Sequence, residues 1–143
     1  MRFLIAIQFA DSRDDIPSAT LLKKWCKAAL TQQKVKTAEL CIRIVGKKES
    51  AALNKKYRRK TGATNVLSFP AEMILGDLVI CAPLVTSEAV QQGKSTRAHW
   101  AHLVVHGTLH LLGHDHIQRN DARIMEAREI KILRTLGFDN PYN

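Results

Sequence analysis

The stretch AHWAHLVVHGTLHLLGHDH, residues 98–116, decides how this chain folds. From Thr96 to Leu112 it is mostly apolar apart from its histidines, and Trp100, Leu103 and Val104 stand among them. That composition predicts a long helix buried in the core rather than lying on the surface. His106 and His110 are four residues apart and therefore share one helical face. Gly113 can take the left-handed conformation that ends a helix, so the chain can turn back and deliver His116 to the same point. Three neutral imidazoles and an open fourth position describe a catalytic zinc site, whereas a fourth protein ligand would close a structural one. Nickel, copper or iron also suit three imidazoles. His114 is the rival third ligand if the helix continues past Gly113. Asp115 either orients a ligand imidazole from behind or is a solvated turn residue. His99 and His102 have no matching partner downstream and read as hydrogen-bonded structural or rim histidines.

Zinc peptidases use the same histidine and glycine offsets, in H-E-x-x-H-x-x-G-x-x-H, with the glutamate as general base. Gly107 occupies that position here. A glycine cannot take a proton from water, so ordinary peptide hydrolysis loses its acid/base group. A metal site without that base favours chemistry in which the ion and nearby positive charge do more of the work.

Positive charge is what the chain offers. It has 22 Lys and Arg against 13 Asp and Glu, a formal net charge of +9. Between Arg43 and Lys60 stand Arg43, Lys47, Lys48, Lys55, Lys56, Arg58, Arg59 and Lys60 against Glu49 alone, which is +7 of that total. A localised basic segment is the electrostatic footprint of a polyanion, and nucleic acid is the commonest one. Joined to a metal site that lacks a peptidase base, it points to phosphodiester cleavage and away from neutral substrates.

The 143 residues suffice for one domain with a real hydrophobic core. Cys26, Cys41 and Cys81 are odd in number and unpaired in spacing, so they read as reduced core thiols in a cytoplasmic protein. In the opening MRFLIAIQFADS, Phe3, Ile5, Ile7 and Phe9 alternate as a strand, which displaces a signal-peptide reading. No run approaches transmembrane length. Strands are predicted at Phe3 to Phe9, over Leu40, Ile42 and Ile44, at Val66 to Phe69, and centrally at Leu78 to Cys81. Five helices are predicted as well. The first opens with Pro17 at its first turn and carries Leu21, Leu22, Trp25 and Ala29. The second lies in the basic segment, with Leu53 and Tyr57 facing the core. The third runs from Pro83 to Gly93, and the fourth holds the histidines. The fifth is capped by Asn120 and stopped by Gly137. This is an α+β chain with a small mixed four-stranded sheet packed with about five helices.

The segments AHWAHLVV and HGTLHLLGHDH, with YRRKTGATNVLSFP and GDLVIC before them, resemble the YbeY family of ribosomal-RNA maturation endoribonucleases. The resemblance runs from about Leu53 to the end, with three motifs in the family's order. It implies a single-domain α+β fold over residues 1–143, one zinc per chain and hydrolysis of single-stranded RNA. It also implies roles in 16S rRNA 3′-end processing, ribosome assembly and ribosome quality control. Ribosomal RNA and the small ribosomal subunit are then the partners, with no membrane involved. By motif match the zinc ligands fall on His106, His110 and His116, and the family's arginine falls on Arg58. The chain departs from the family where His114 replaces a usual Tyr and Thr61 a frequent Asp.

These parts suggest a mechanism. A zinc ion on three histidines supplies hydroxide near neutral pH, its water having a pKa of about 7. Arg58 would hold the scissile phosphate, its planar fork matching phosphate oxygens. Lys55, Lys56, Arg59 and Lys60 would track a single-stranded backbone with little regard for sequence. Attack by the RNA's own 2′-hydroxyl is a second route, and no residue is assigned as general base. Two other functions compete: a non-enzymatic zinc-containing ribosome-assembly factor, and a metal-dependent hydrolase of another substrate.

Overall fold

A computed structural model describes residues 2–12, 15–114 and 119–142. The elements run β1 Arg2–Phe9, α1 Ala19–Gln32, β2 Thr37–Val45, α2 Lys47–Arg58, β3 Val66–Pro70, β4 Gly76–Cys81, α3 Ala82–Gln91, α4 Thr96–Leu111 and α5 Arg119–Thr135. The strands form one mixed sheet in the order β1-β2-β4-β3. β1 with β2 and β2 with β4 are parallel; β3 runs antiparallel to β4 and forms an edge. Among the described residues the expected α+β architecture forms, with four strands and five helices.

The sheet sorts its side chains by the two-residue alternation of a strand. Ile5, Leu40, Ile42, Ile44, Leu78 and Ile80 face the main core with Trp25, Trp100 and Met125. Val45, Leu67, Val79 and Cys81 form a second, smaller core on the opposite face, against Leu53, Ala63 and Leu84. β4 is therefore apolar on both sides, as its uninterrupted sequence predicts for a central strand. Helix α4 is buried on nearly every face, from His99 and Trp100 to Leu109 and Leu111. It packs against α1, α3, α5, β3 and β4.

Three local expectations are corrected. Pro17 does not occupy the first helical turn: the Ser18 side chain caps α1 by accepting from the Leu21 N–H, so the proline precedes the cap. Asn120 lies inside α5, which already includes Arg119. Tyr57 does not face the core but is 56% exposed. Helix α2 instead buries two polar residues, Ser50 and Asn54. The Ser50 hydroxyl donates to the Thr64 carbonyl at 2.9 Å and accepts from the Thr64 N–H at 3.0 Å. The Asn54 amide donates to the Gly62 carbonyl at 2.9 Å. These bonds fasten α2 to the loop that leads into β3. Tyr57 is left on the surface, edge-on to Phe69 at 5.1 Å between ring centroids.

At Gly107, α4 comes close to the sheet. A Cβ there would lie 2.8 Å from Leu78 Cδ2 and 3.3 Å from both Leu78 Cδ1 and Val66 Cγ2. Gly107→Ala should therefore lower unfolding stability by on the order of 1–2 kcal/mol, because overpacking outweighs alanine's better helix propensity. Urea unfolding measures this, and a stability gain would contradict the close approach.

Candidate metal centre and cleft

Helix α4 carries the histidines because its sequence ends it where the spacing requires. Its N-terminus is capped by Ser95, whose side chain accepts from the Ala98 N–H at 3.0 Å. At the other end the Gly113 N–H reaches the His110 carbonyl and the His114 N–H reaches the Leu109 carbonyl, both at 3.0 Å. That pair of bonds is a Schellman turn, and Gly113 sits in it at φ +96°. The helix thus stops before His114, which does not continue the His106–His110 face. His116 and Asp115 lie outside the described residues.

His106 and His110 are both half-buried, with ring centroids 4.6 Å apart. Their Nε2 atoms face each other at 3.1 Å. Two imidazole nitrogens on one tetrahedral zinc stand about 3.3 Å apart, so this pair fits a shared cation without rearrangement. The fit comes from the donor atoms themselves. Gly107, between them in sequence, points into the sheet rather than toward this point. A side chain at that position would crowd Leu78 and Val66.

Behind His106 lies a carboxylate that the sequence analysis did not single out. Glu129, on α5, is 0% exposed. Its Oε1 accepts from His106 Nδ1. Its Oε2 accepts from His102 Nε2 at 3.2 Å and from the Tyr142 hydroxyl. Burial pushes the Glu129 carboxyl up. Hydrogen bonds from His102 and His106, the charge of His106 and the Tyr142 bond outweigh burial and bring its pKa down to about 2. Burial first, and then the bond to Glu129 and its charge, push the Tyr142 phenol up. His102, His106 and Glu129 offer ligand atoms within 4.8 Å of one another, a group that could hold a metal ion.

His99 and His102 are both hydrogen-bonded, as expected. His99 is buried, and its Nε2 pairs with Glu88 at 2.9 Å. Burial lowers the His99 pKa against the opposing pull of Glu88. The same carboxylate accepts from the Asn65 amide at 3.0 Å, tying the start of β3 to α3 and α4.

His106 and His110 open onto a cleft of about 570 Å³ that also takes in Tyr57, Arg58, Asn65 and the edge strand Val66–Phe69. Arg58, the last residue of α2, is thereby brought to the histidines from the far side of the sheet edge. Lys55, Lys56, Arg59 and Lys60 are all exposed around the same helix end. Arg59 takes a left-handed backbone, φ 55°, and closes the helix. Arg43 is not part of a free basic surface: its guanidinium donates twice to Glu49, at 2.6 and 3.0 Å.

The fold thus opens a histidine pair that could hold a metal ion, and an arginine, onto one cleft. The match to known proteins is specific: the family model described as "Endoribonuclease YbeY" covers residues 6–137, and the chain belongs to that family. A protein from Methylococcus capsulatus named "Endoribonuclease YbeY" is 55% identical over 92% of this chain and 90% of its own length. Namesakes from Xanthomonas axonopodis pv. citri and Nitrosococcus oceani are 50% and 48% identical, each over 99% of this chain and 94% and 98% of their own lengths. The solution structure of TM1509 from Thermotoga maritima superposes with a TM-score of 0.63, covering 98% of this chain and 99% of that one. At 18% identity it speaks for the fold alone.

The turn after His110 gives a direct check. Gly113→Ala forces a Cβ into the left-handed region and should cost about 1 kcal/mol of stability. Thermal unfolding reads the change, and an unaltered midpoint would show that the turn has another conformation.

Proposed function

We propose that this chain is a zinc-dependent, single-strand-specific endoribonuclease. Its work is 16S rRNA 3′-end maturation, with roles in ribosome assembly and ribosome quality control. The observation that carries the reading is the convergence of two histidine Nε2 atoms, 3.1 Å apart, in the same cleft as Arg58. The relatives' shared name gives the substrate class. Residues 1–143 act as one such domain, in the cytoplasm, on ribosomal RNA and the small ribosomal subunit. No helix among the described residues is long and apolar enough to cross a membrane.

His106, His110 and His116 would hold one zinc per chain. When bound, zinc supplies Lewis acidity at the phosphate and activates water at neutral pH. Arg58 would hold the scissile phosphate, and its fixed fork would stabilise the extra negative charge as the phosphorus gains a fifth oxygen. Tyr57 presents an exposed ring at the lip of the cleft, a face on which an unpaired base can stack. Lys55, Lys56, Arg59 and Lys60 attract the backbone on either side without reading bases. Asp115 lies beside His116 in sequence and is the nearby carboxylate that could steady its ring.

The deciding experiment is cleavage of single-stranded against duplex RNA by the purified chain, with and without chelator. Cleavage restricted to single strands and abolished by chelation supports the reading. No cleavage in the presence of bound zinc would favour an assembly factor. Alanine variants of His106, His110 and His116 should each lose the one bound zinc in metal analysis. Retention in His116→Ala with loss in His114→Ala would reassign the third ligand.

Arg58 separates from the patch around it. Arg58→Ala should lower single-turnover cleavage at saturating enzyme roughly a hundredfold, with RNA affinity and zinc content nearly unchanged. Neutralising Lys55, Lys56, Arg59 and Lys60 together should weaken binding to all single strands alike and flatten its salt dependence. Equal cleavage rates for Arg58→Ala and wild type would reduce Arg58 to one more basic residue.

A further inference from the structure

We propose that Glu129 is the positioning residue of the metal centre: it holds His106 as the Nδ1–H tautomer and so aims the Nε2 lone pair at the point His110 also faces. The inference rests on the reading that His106 and His110 hold the ion.

A neutral imidazole has one N–H and one lone pair, and the partner of one nitrogen decides which is which. A carboxylate without a proton can only accept. Glu129 against His106 Nδ1 therefore places the ring proton on Nδ1. The lone pair is left on Nε2, which stands 3.1 Å from His110 Nε2. Without such a partner either tautomer could form, and the one with its proton on Nε2 blocks a cation. The carboxylate charge behind the ring also makes Nε2 a stronger donor to a metal.

Glu129 is itself fixed. It is fully buried on α5, and its second oxygen accepts from His102 Nε2 and from the Tyr142 hydroxyl. Turning toward an ion would unpair the His106 N–H and strand those donors. His102 is committed in the same way, its Nε2 facing Glu129 and Tyr142 while its Nδ1 is buried with no partner among the described residues. The two histidines thus carry opposite tautomers around one carboxylate. Glu129 and His102 support the site; they do not ligate. Tyr142, near the end of the chain, brings the C-terminal segment into this support.

The test uses the full chain in two measurements. In zinc-free, 15N-labelled wild-type protein, two-bond proton–nitrogen spectra of the histidines should show the His106 proton on Nδ1; a proton on Nε2 overturns the proposal. This needs no variant, so it decides even if substitutions at 129 do not fold. By chelator competition, Glu129→Gln should bind one zinc roughly ten- to a hundredfold more weakly. A folded Glu129→Gln with wild-type affinity overturns the proposal. So does complete loss of binding in both Glu129→Gln and His102→Ala with binding intact in His110→Ala, which would make Glu129 and His102 the ligands. Wild-type affinity in both His106→Ala and His110→Ala would defeat the metal reading itself, and the proposal with it. The preceding outcomes each leave a metal site standing and so distinguish the two failures.

Discussion

Helix α4 meets the sheet at Gly107 with no room for one added carbon, and the geometry of the cleft follows from that contact. The close approach lets Leu78 and Val66 pack directly on the helix backbone. It also fixes the rotation of α4 about its axis. With Gly107 turned to the sheet, His106 is directed toward α5 and the cleft, and His110 follows one turn later. A larger residue at 107 would move the helix outward and carry both imidazoles away from β3 and Arg58. The position that would carry a peptidase base is thus crowded by the packing that positions the histidines. The loss of one chemistry and the geometry for another share a cause.

Around that helix the charges are divided between surface and interior. Most of the excess positive charge lies on the exposed end of α2, where water screens it and a polyanion can displace its counterions. One negative charge, Glu129, lies fully inside, where its cost is met by three hydrogen-bond donors. The first arrangement suits a polyanion's backbone and offers nothing that reads bases. The second is confined to the hydrogen bonds it makes with His102, His106 and Tyr142. Arg58 lies between these regimes, at the tip of the basic helix but lining the same cleft as the histidines.

What was legible in the chain was what depends on near neighbours. His106 and His110 sit one helical turn apart, and Gly113 follows at the position where a Schellman turn needs a left-handed residue. Both relations are local, and the structure shows both. Strand alternation around Leu40 and the doubly buried run in β4 are local too. Tyr57 misled because Leu53 and Tyr57 have core spacing, whereas α2 buries Ser50 and Asn54 to satisfy a loop. Glu129 went unread because its partners are 23 and 27 residues earlier in the chain. A signal did exist. Met125, Glu129, Ile132 and Leu133 share one buried stripe of α5. A lone carboxylate on such a stripe must find donors in the interior, and histidines on a neighbouring buried helix are candidates.

The two sides of the cleft differ in how they are secured. The histidines belong to a helix enclosed by side chains from three other helices and two strands, which ties their opening to unfolding of the whole domain. Arg58 belongs to α2, fastened to its neighbouring loop largely by the hydrogen bonds of Ser50 and Asn54 and packed on the smaller core. Amide exchange in such a molecule should divide along that line, slow through α4 and faster through the end of α2. The histidine side is then a lasting feature of the fold, while the Arg58 side can part from it locally. A long, folded RNA could therefore be admitted sideways past Arg58, with no need to thread a free end.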